Sequence, residues 1–401
     1  MTATTRFDEM RAILTERNRF YADRLKRVDR FDHIPFTTKQ QLVEDQANNP
    51  PFGTNLTFPI ENYTRIHQTS GTAGKPILWL DTQDSWDWWL RCWCEVFKGA
   101  GVRRGDRVYV AFSFGPFIGF WAAFEAAQRM GVMTISGGGQ STEQRLQSIF
   151  QREATVLVCT PTYALRLADA ARLQGLDMRR SAIRITIHAG EPGASIPETR
   201  KRIEEAFGAR TFDHVGMTEM GAYGFECEHQ SGLHINEDEF IVEMIDPNTL
   251  APVEDGQKGE LVLTNLGRVG MPLIRYRTGD LGTISHASCA CGRGWARLLG
   301  GVLGRADDMI TIRGINVFPS AVENIVQRHP EIVEFAIEVY RRRQMHELHL
   351  KVEIAGTANG IIERLTQEFS NDLRIRASIE QVPDGSLPRF ELKSRRLRFV
   401  E

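Results

Sequence analysis

Hydrophobic positions change their period along this chain, and the changes divide it. Over the first sixty residues the pattern is helical, interrupted by loop signals at Pro35, Pro50–Pro51 and Gly53. Tyr63–Gln68 and Pro76–Leu80 read as strands, and Ser85–Ala100 returns to a helical pattern rich in tryptophan. A regular cycle follows. Strand-like runs at Arg107–Phe112, Met133–Ser136, Thr155–Cys159 and Ile183–Ala189 alternate with helical runs near Phe120–Met130, Thr142–Glu153, Tyr163–Gln174 and Ile196–Phe207. Strands alternating with helices predict a mostly parallel sheet covered on both faces.

After Gly221 the texture becomes strands joined by Gly/Pro/Asn turns, at Phe240–Ile245, Gly259–Thr264 and Leu281–Ser285, which predicts an antiparallel barrel or sheet. Beyond Gly304 a third texture begins. Strands at Met309–Ile312, Ile332–Val339 and His346–Val352 and helices at Pro319–His329 and Gly360–Leu373 make a compact α+β unit. The expected fold class is therefore α/β with additional β. A large N-terminal domain, residues 1–304, carries parallel sheet flanked by helices plus a β-barrel-like part. A small α+β domain, residues 305–401, follows across a short hinge. No repeat or low-complexity segment interrupts this division.

Composition narrows the function classes. The 401 residues carry a net charge of −2, with both signs mixed throughout, so there is no nucleic-acid footprint. No apolar run approaches the roughly 20 residues of a membrane span. The segment MTATTRFDEMRAIL lacks the apolar core of a signal peptide. Six cysteines in a chain of this length argue against a disulfide scaffold, and the expected location is the reducing cytoplasm. Cys92, Cys94 and Cys159 read as small buried apolar residues.

The chemistry begins at Thr69–Pro76, read as TSGTAGKP. Gly71 and Gly74 free the backbone, and exposed N–H groups, hydroxyls and Lys75 fit an anion such as a phosphate. An ordinary turn has the same composition, and the spacing fails the Walker pattern. Four further segments alter that balance: AGEP at Ala189–Pro192, GMTE at Gly216–Glu219, YRTGD at Tyr276–Asp280 and GRADDMITIRG at Gly304–Gly314. In this order and rough spacing they resemble the adenylate-forming superfamily of acyl- and aryl-CoA synthetases, peptide-synthetase adenylation domains and luciferases. RIHQTSGTAGKP, HAGEP, GLHINEDEF, IRYRTGD, CACGR and INVFPSAVE resemble its phenylacetate–CoA ligase-like branch, from about Phe20 to the end.

The resemblance implies ATP-dependent activation of an acid, expected to be aromatic, to an acyl-adenylate. Transfer to coenzyme A follows, in a monomer or homodimer. It places Ser70, Gly71, Thr72, Gly74 and Lys75 on the β- and γ-phosphates, Thr218 on the α-phosphate and Glu219 on magnesium. Gly190, Glu191 and Pro192 would line the adenine, and Asp280 and Arg305 would hold the ribose. Lys393 would be the catalytic lysine, and Asp307 the hinge of a mobile small domain. Each position has a plainer reading: a surface glutamate at a helix start, a β-to-α turn, a turn aspartate, a solvated lysine in a basic tail. The sequence departs from the family pattern at Val215, where an aromatic is usual, and at Leu392, where glycine precedes the lysine.

Cys289 and Cys291 at C-x-C spacing, with Cys227 and either His234 or His229 upstream, give a donor set suited to structural zinc. His234 is the expected fourth ligand, and free loop thiols are the alternative. VAFSFGPFIGFW resembles the aryl-pocket stretch of phenylacetate ligases. Phe112 and Phe117 fall on its aromatic positions and Gly138 in its SGG segment, and Gly216 of GMTE is expected to bind substrate with them. Phe120 and Trp121 replace smaller residues, and core packing is the commoner destiny of such aromatics. His188 is read either as a polar contact to a ring substituent or as a satisfied core histidine. Within the fold, transfer to an amine or carrier-protein thiol, or adenylation of a deazaflavin, stays open. A non-catalytic nucleotide-binding protein is the rival outside it, opposed by retention of Lys75, Glu219, Asp280 and Lys393 together.

Overall fold

The computed structural model of the chain describes residues 2–69, 76–112, 114–191, 193–306, 310–312, 315–342, 345–356, 360–389 and 396–400. Five parallel strands lie in the order Met133–Ser136, Arg107–Val110, Val156–Cys159, Ile185–His188 and Arg210–Met217. Valines and isoleucines of the three central strands are fully buried, as a sheet covered on both faces requires. The helices between them begin where the sequence marks a start. Ser141 with Gln144 forms a capping box, and Thr160 caps a helix opened by Pro161. The strand order reverses direction around Arg107–Val110, so the crevice above the carboxyl ends of that strand and of Val156–Cys159 is a topological switch point.

The antiparallel strands expected after Gly221 continue this sheet edge to edge. Gly221–Glu226, Leu233–Ile235 and Arg297–Leu298 follow Arg210–Met217, then Tyr276–Ser285, Lys258–Asn265 and Phe240–Ile245, and Gly304–Arg305, paired to Tyr276–Ser285 off this path, brings the sheet to 12 strands. Tyr276–Ser285 starts five residues before the strand expected at Leu281, and Gly221–Glu226 was not expected as a strand. The latter is buried at every position, so it shows no alternation for the sequence to display. Across its face lies the helix Gln83–Gly99, with Trp86, Trp88, Trp89 and Trp93 buried. No helix among the described residues is long and apolar enough to cross a membrane.

The N-terminal helix Ala3–Arg17 buries Phe7, Met10 and Leu14 against Tyr21, Leu25, Ile34 and Ile274. The segment after it joins the large sheet. The Thr37 N–H donates to the Arg275 carbonyl at 2.9 Å, and the Arg277 N–H donates to the Thr37 carbonyl at 2.9 Å. The Thr37 hydroxyl donates to the Ile274 carbonyl at 2.8 Å and meets the Tyr21 hydroxyl at 3.0 Å. Thr38 then caps the helix Lys39–Asn48 in a capping box with Gln41.

A second sheet contains Ile310–Ile312, Ile315–Val317, Ile332–Arg342, Met345–Ile354, Ala377–Val382 and Leu397–Val400, covered by the helices Pro319–Gln327 and Ile361–Asp372. It has its own apolar core around Val322, Ile325, Ile337, Leu350, Leu365 and Phe369. It touches the large sheet's layers through Arg202 with Gln327, the Ser320 hydroxyl on the Leu303 carbonyl, and Lys258 Nζ 3.9 Å from the Phe318 ring centre.

Candidate active site

The carboxyl ends of the parallel strands bring several of the singled-out residues to one edge. After Ile185–His188 the chain turns at Gly190, whose φ of +96° favours glycine. Glu191 then accepts a hydrogen bond from the Thr162 N–H at 3.0 Å, at the start of the helix Pro161–Leu173. His188, one strand position before Ala189, is fully buried. Its Nδ1 meets the Cys159 carbonyl at 3.1 Å and its Nε2 the Thr186 hydroxyl at 2.9 Å. Burial lowers its pKa to about 4. Both nitrogens are thus engaged within the sheet, which is the core-histidine reading and leaves no free donor for a substrate.

Arg210–Met217 delivers the GMTE turn. At Gly216 an added Cβ would lie 2.8 Å from the Gly221 carbonyl oxygen, so the glycine permits the bulge between Val215 and Gly216. Glu219 is almost buried, and its Oε1 lies 3.3 Å from Lys39 Nζ. The carbonyls of Thr218 and Glu219 accept from Arg268 Nη1 at 2.6 and 3.2 Å. Arg268 is fully buried and grips Asp81 with two bonds of 2.8 and 2.7 Å. Asp81 stands on Leu78–Thr82, the strand that follows the TSGTAGK motif in sequence. One buried guanidinium therefore ties that strand to the turn bearing Thr218 and Glu219.

On Tyr276–Ser285, Asp280 faces Arg305 at 3.3 Å and accepts from the Tyr223 hydroxyl at 3.3 Å. The two residues assigned to one ribose thus meet each other. Asp213, not singled out from the sequence, pairs in register with His188 and accepts from the Ser195 hydroxyl. Burial first, then the neighbouring Glu226 carboxylate, raises its pKa to about 7.

At the acyl side, Phe112 lies buried at the end of Arg107–Val110, its ring stacked nearly parallel on Phe120. Phe117 precedes the helix Ile118–Arg129 and is half-buried. At Gly138 an added Cβ would lie 2.7 Å from the Phe114 ring, so the chain passes where no side chain fits. Ser70, Gly71, Thr72, Gly74, Lys75, Pro192, Asp307 and Lys393 lie outside the described residues.

A separate cluster gathers Cys227, His234, Cys289 and Cys291, whose ligand atoms all lie within 4.8 Å of one another. Cys227 Sγ and Cys289 Sγ are 3.7 Å apart, and Cys291 Sγ is 3.3 Å from His234 Nε2. A sulfur–sulfur gap of 3.7 Å is far too long for a disulfide. It matches the edge of about 3.8 Å that a tetrahedron with zinc–sulfur bonds of about 2.3 Å would have. His229 stands apart, half-exposed beside Glu228.

A sequence profile of AMP-binding enzymes matches residues 16–267, and a profile of the AMP-binding enzyme C-terminal domain matches residues 314–398. The chain belongs to the AMP-binding enzyme family. Among curated relatives, phenylacetate-coenzyme A ligase of Pseudomonas putida is 33% identical over 373 residues, covering 90% of this chain and 82% of its own length. Among solved structures, 2-hydroxyisobutyryl-CoA ligase with R3-HIB-AMP in the postadenylation state has a TM-score of 0.91 at 30% identity, covering all of this chain and 90% of that one. The same ligase with 2-HIB-AMP and CoA in the thioesterification state gives 0.72 at the same coverage. Sequence and coverage being equal, the gap measures arrangement. This AMP-binding enzyme has its two sheets disposed as in the postadenylation state.

Lys39, Arg268, Asp81, Asp213 and Tyr223 carry no motif of their own. The only signal for Lys39 is a lysine opening a helix whose first turn holds no acid.

Proposed function

We propose that this protein is an acid–CoA ligase working through an acyl-adenylate at the crevice above the parallel strands. In the first step a carboxylate oxygen attacks the α-phosphorus of ATP, the bond to the β-phosphate breaks, and pyrophosphate leaves. In the second, the coenzyme A sulfur attacks the acyl carbon, the thiol proton passes to solvent, and AMP leaves. The observation that supports this most is that Gly190–Glu191 and Thr218–Glu219 follow the carboxyl ends of neighbouring parallel strands, while the Tyr223 hydroxyl ties Asp280 to the next strand of the sheet.

In this reading Gly190 and Glu191 line the adenine, Asp280 accepts from the ribose hydroxyls, and Arg305 moves from Asp280 onto the sugar. Glu219 is the magnesium ligand. Its carboxylate is held at low exposure against a cation, an environment suited to a hard oxygen ligand. When bound, that ion supplies positive charge that screens the phosphates from the incoming carboxylate. The Arg268 bridge fixes the Thr218–Glu219 turn so that the chain itself does no reorganising at that moment. Ser70, Thr72 and Lys75 hold the outer phosphates, and Lys393 bridges the acid and the α-phosphate. The domains are 1–304 and 305–401, and Asp307 is the hinge. Cys227, His234, Cys289 and Cys291 hold a structural zinc, and the compartment is the cytoplasm.

For the acid we propose an aryl carboxylate, bounded by Phe112, Phe117 and Gly138. Phe120 stacked on Phe112 favours a second reading, a small branched acid, because it fills space that smaller residues would leave open. The test is pyrophosphate release from ATP across benzoates, phenylacetates and short hydroxy acids, with thioester formation followed on adding CoA. Turnover of an aryl acid to a CoA thioester is expected. Release with no acid in the panel would overturn the ligase reading, and release confined to short acids would overturn the aryl one.

A further inference from the structure

The contact between Lys39 and Glu219 joins two parts of the chain 180 residues apart. The Glu219 side chain is 9% exposed and the Lys39 side chain 39% exposed, so the ammonium reaches in from the open side of a carboxylate that is otherwise enclosed. Its position is costly for the helix. Lys39 is the first residue of Lys39–Asn48, at the positive end of the dipole, and no acidic residue lies in the first turn. Helices place anions there, so stability alone would select against this lysine. Nor is the segment loosely held. The main chain of Thr37 bonds to Arg275 and Arg277, either side of Tyr276 at the start of the strand that carries Asp280, so the chain two residues before Lys39 is anchored to that strand.

The lysine thus sets a positive charge against the carboxylate assigned to magnesium. A divalent cation and an ammonium 3.3 Å from Glu219 Oε1 cannot share that oxygen's open side without strong repulsion. We propose that Lys39 holds the place of the divalent cation on Glu219 until nucleotide arrives, and then pairs with the phosphates that the cation accompanies. The ammonium keeps free metal off an empty site, and MgATP displaces it because the triphosphate offers it a new anion. Lys39 is then a nucleotide-binding residue supplied by the N-terminal segment. The inference rests on Glu219 being the cation ligand.

The test compares wild type, Lys39→Met and Lys39→Arg, using Mn2+ alone as the probe, by electron paramagnetic resonance and calorimetry without nucleotide. Lys39→Met should bind Mn2+ about two- to five-fold more tightly than wild type, the range of one partly exposed charge contact, and Lys39→Arg should not. In pyrophosphate release, Lys39→Met should raise KM for MgATP about ten-fold, leave KM for the acid unchanged, and be rescued by Lys39→Arg. Equal Mn2+ affinity in wild type and Lys39→Met, or an unmoved KM for MgATP, would overturn the proposal. Glu219→Gln separates the two readings. If Mn2+ binding in the Lys39→Met background survives Glu219→Gln, it is the assignment of Glu219 that fails.

Discussion

Replacing Arg268 by methionine removes the cation that faces Asp81 at 2.7 Å, with neither side chain exposed. Breaking a buried pair from one side costs about 3–5 kcal/mol, because the remaining charge is left without water. Two carbonyls, of Thr218 and Glu219, lose their donor as well, adding about 1 kcal/mol each. A loss of about 5–7 kcal/mol is a large share of the roughly 5–15 kcal/mol that holds a typical domain. At about 2 °C per kcal/mol for a large domain, the melting temperature should fall by about 10 °C or more. Urea unfolding followed by circular dichroism measures this. Asp81→Leu combined with Arg268→Met should recover at least half of the loss, since both charges are then gone. The deficit should also depend on pH. His67 lies 4.0 Å from Asp81, and burial first, with Arg268 contributing, holds its pKa near 4. Without Arg268 that pKa rises, so His67 takes up a proton beside Asp81 as the pH falls, and the gap to wild type should narrow from pH 8 to pH 5.5. A loss under 1 kcal/mol, or a double variant worse than either single one, would refute the reasoning.

Protein purified without chelator should contain about one zinc per chain, and Cys289→Ser should lose both metal and thermal stability, as elemental analysis and calorimetry would register. Full stability in a metal-free preparation would exclude the site. Asp213 has its folded pKa raised to about 7, against about 3.9 unfolded, so its contribution is fully present below about pH 4 and is lost as the pH rises through about 7. Unfolding titrations should therefore show stability declining by up to about 1.4 kcal/mol per pH unit in that window, a slope that Asp213→Asn should remove. Lys393→Ala should cut pyrophosphate release by about 10²-fold or more while leaving thioester formation from supplied acyl-adenylate near wild type. Equal loss of both half-reactions would remove Lys393 from adenylation.

Four of the five parallel strands were legible as short apolar runs separated by capped helices, each signal being local, whereas Arg210–Met217, with one valine and no isoleucine, was not. Gly221–Glu226 was not, since a strand buried on both faces and containing two glycines gives neither alternation nor β-branched enrichment. Leu397–Val400 sits in a basic run whose charges hide its edge-strand pattern. The motif residues Glu191, Thr218, Glu219 and Asp280 were found by their neighbours in sequence. Lys39 and Arg268 were not, because what distinguishes them is a partner far along the chain: Glu219 for one and Asp81 for the other. Asp213 reads as an ordinary strand residue until burial and Glu226 change its protonation.

The Thr37 clamp has a consequence for the order of assembly. Its hydroxyl bond to Ile274 spans 237 residues, and the strand it joins carries Asp280. At a synthesis rate of about 5–20 residues per second, the first forty residues leave the ribosome roughly 10–50 s before the strand that will hold them. The parallel core between them can form in that interval from neighbouring strands, whereas the N-terminal helices can pack Phe7, Met10 and Leu14 only on Tyr21, Leu25 and Ile34 until Leu266 and Ile274 close the cluster. The earlier of these two segments is thus among the last to find its place, and the pocket gains Lys39 only when translation has passed the strand bearing Asp280.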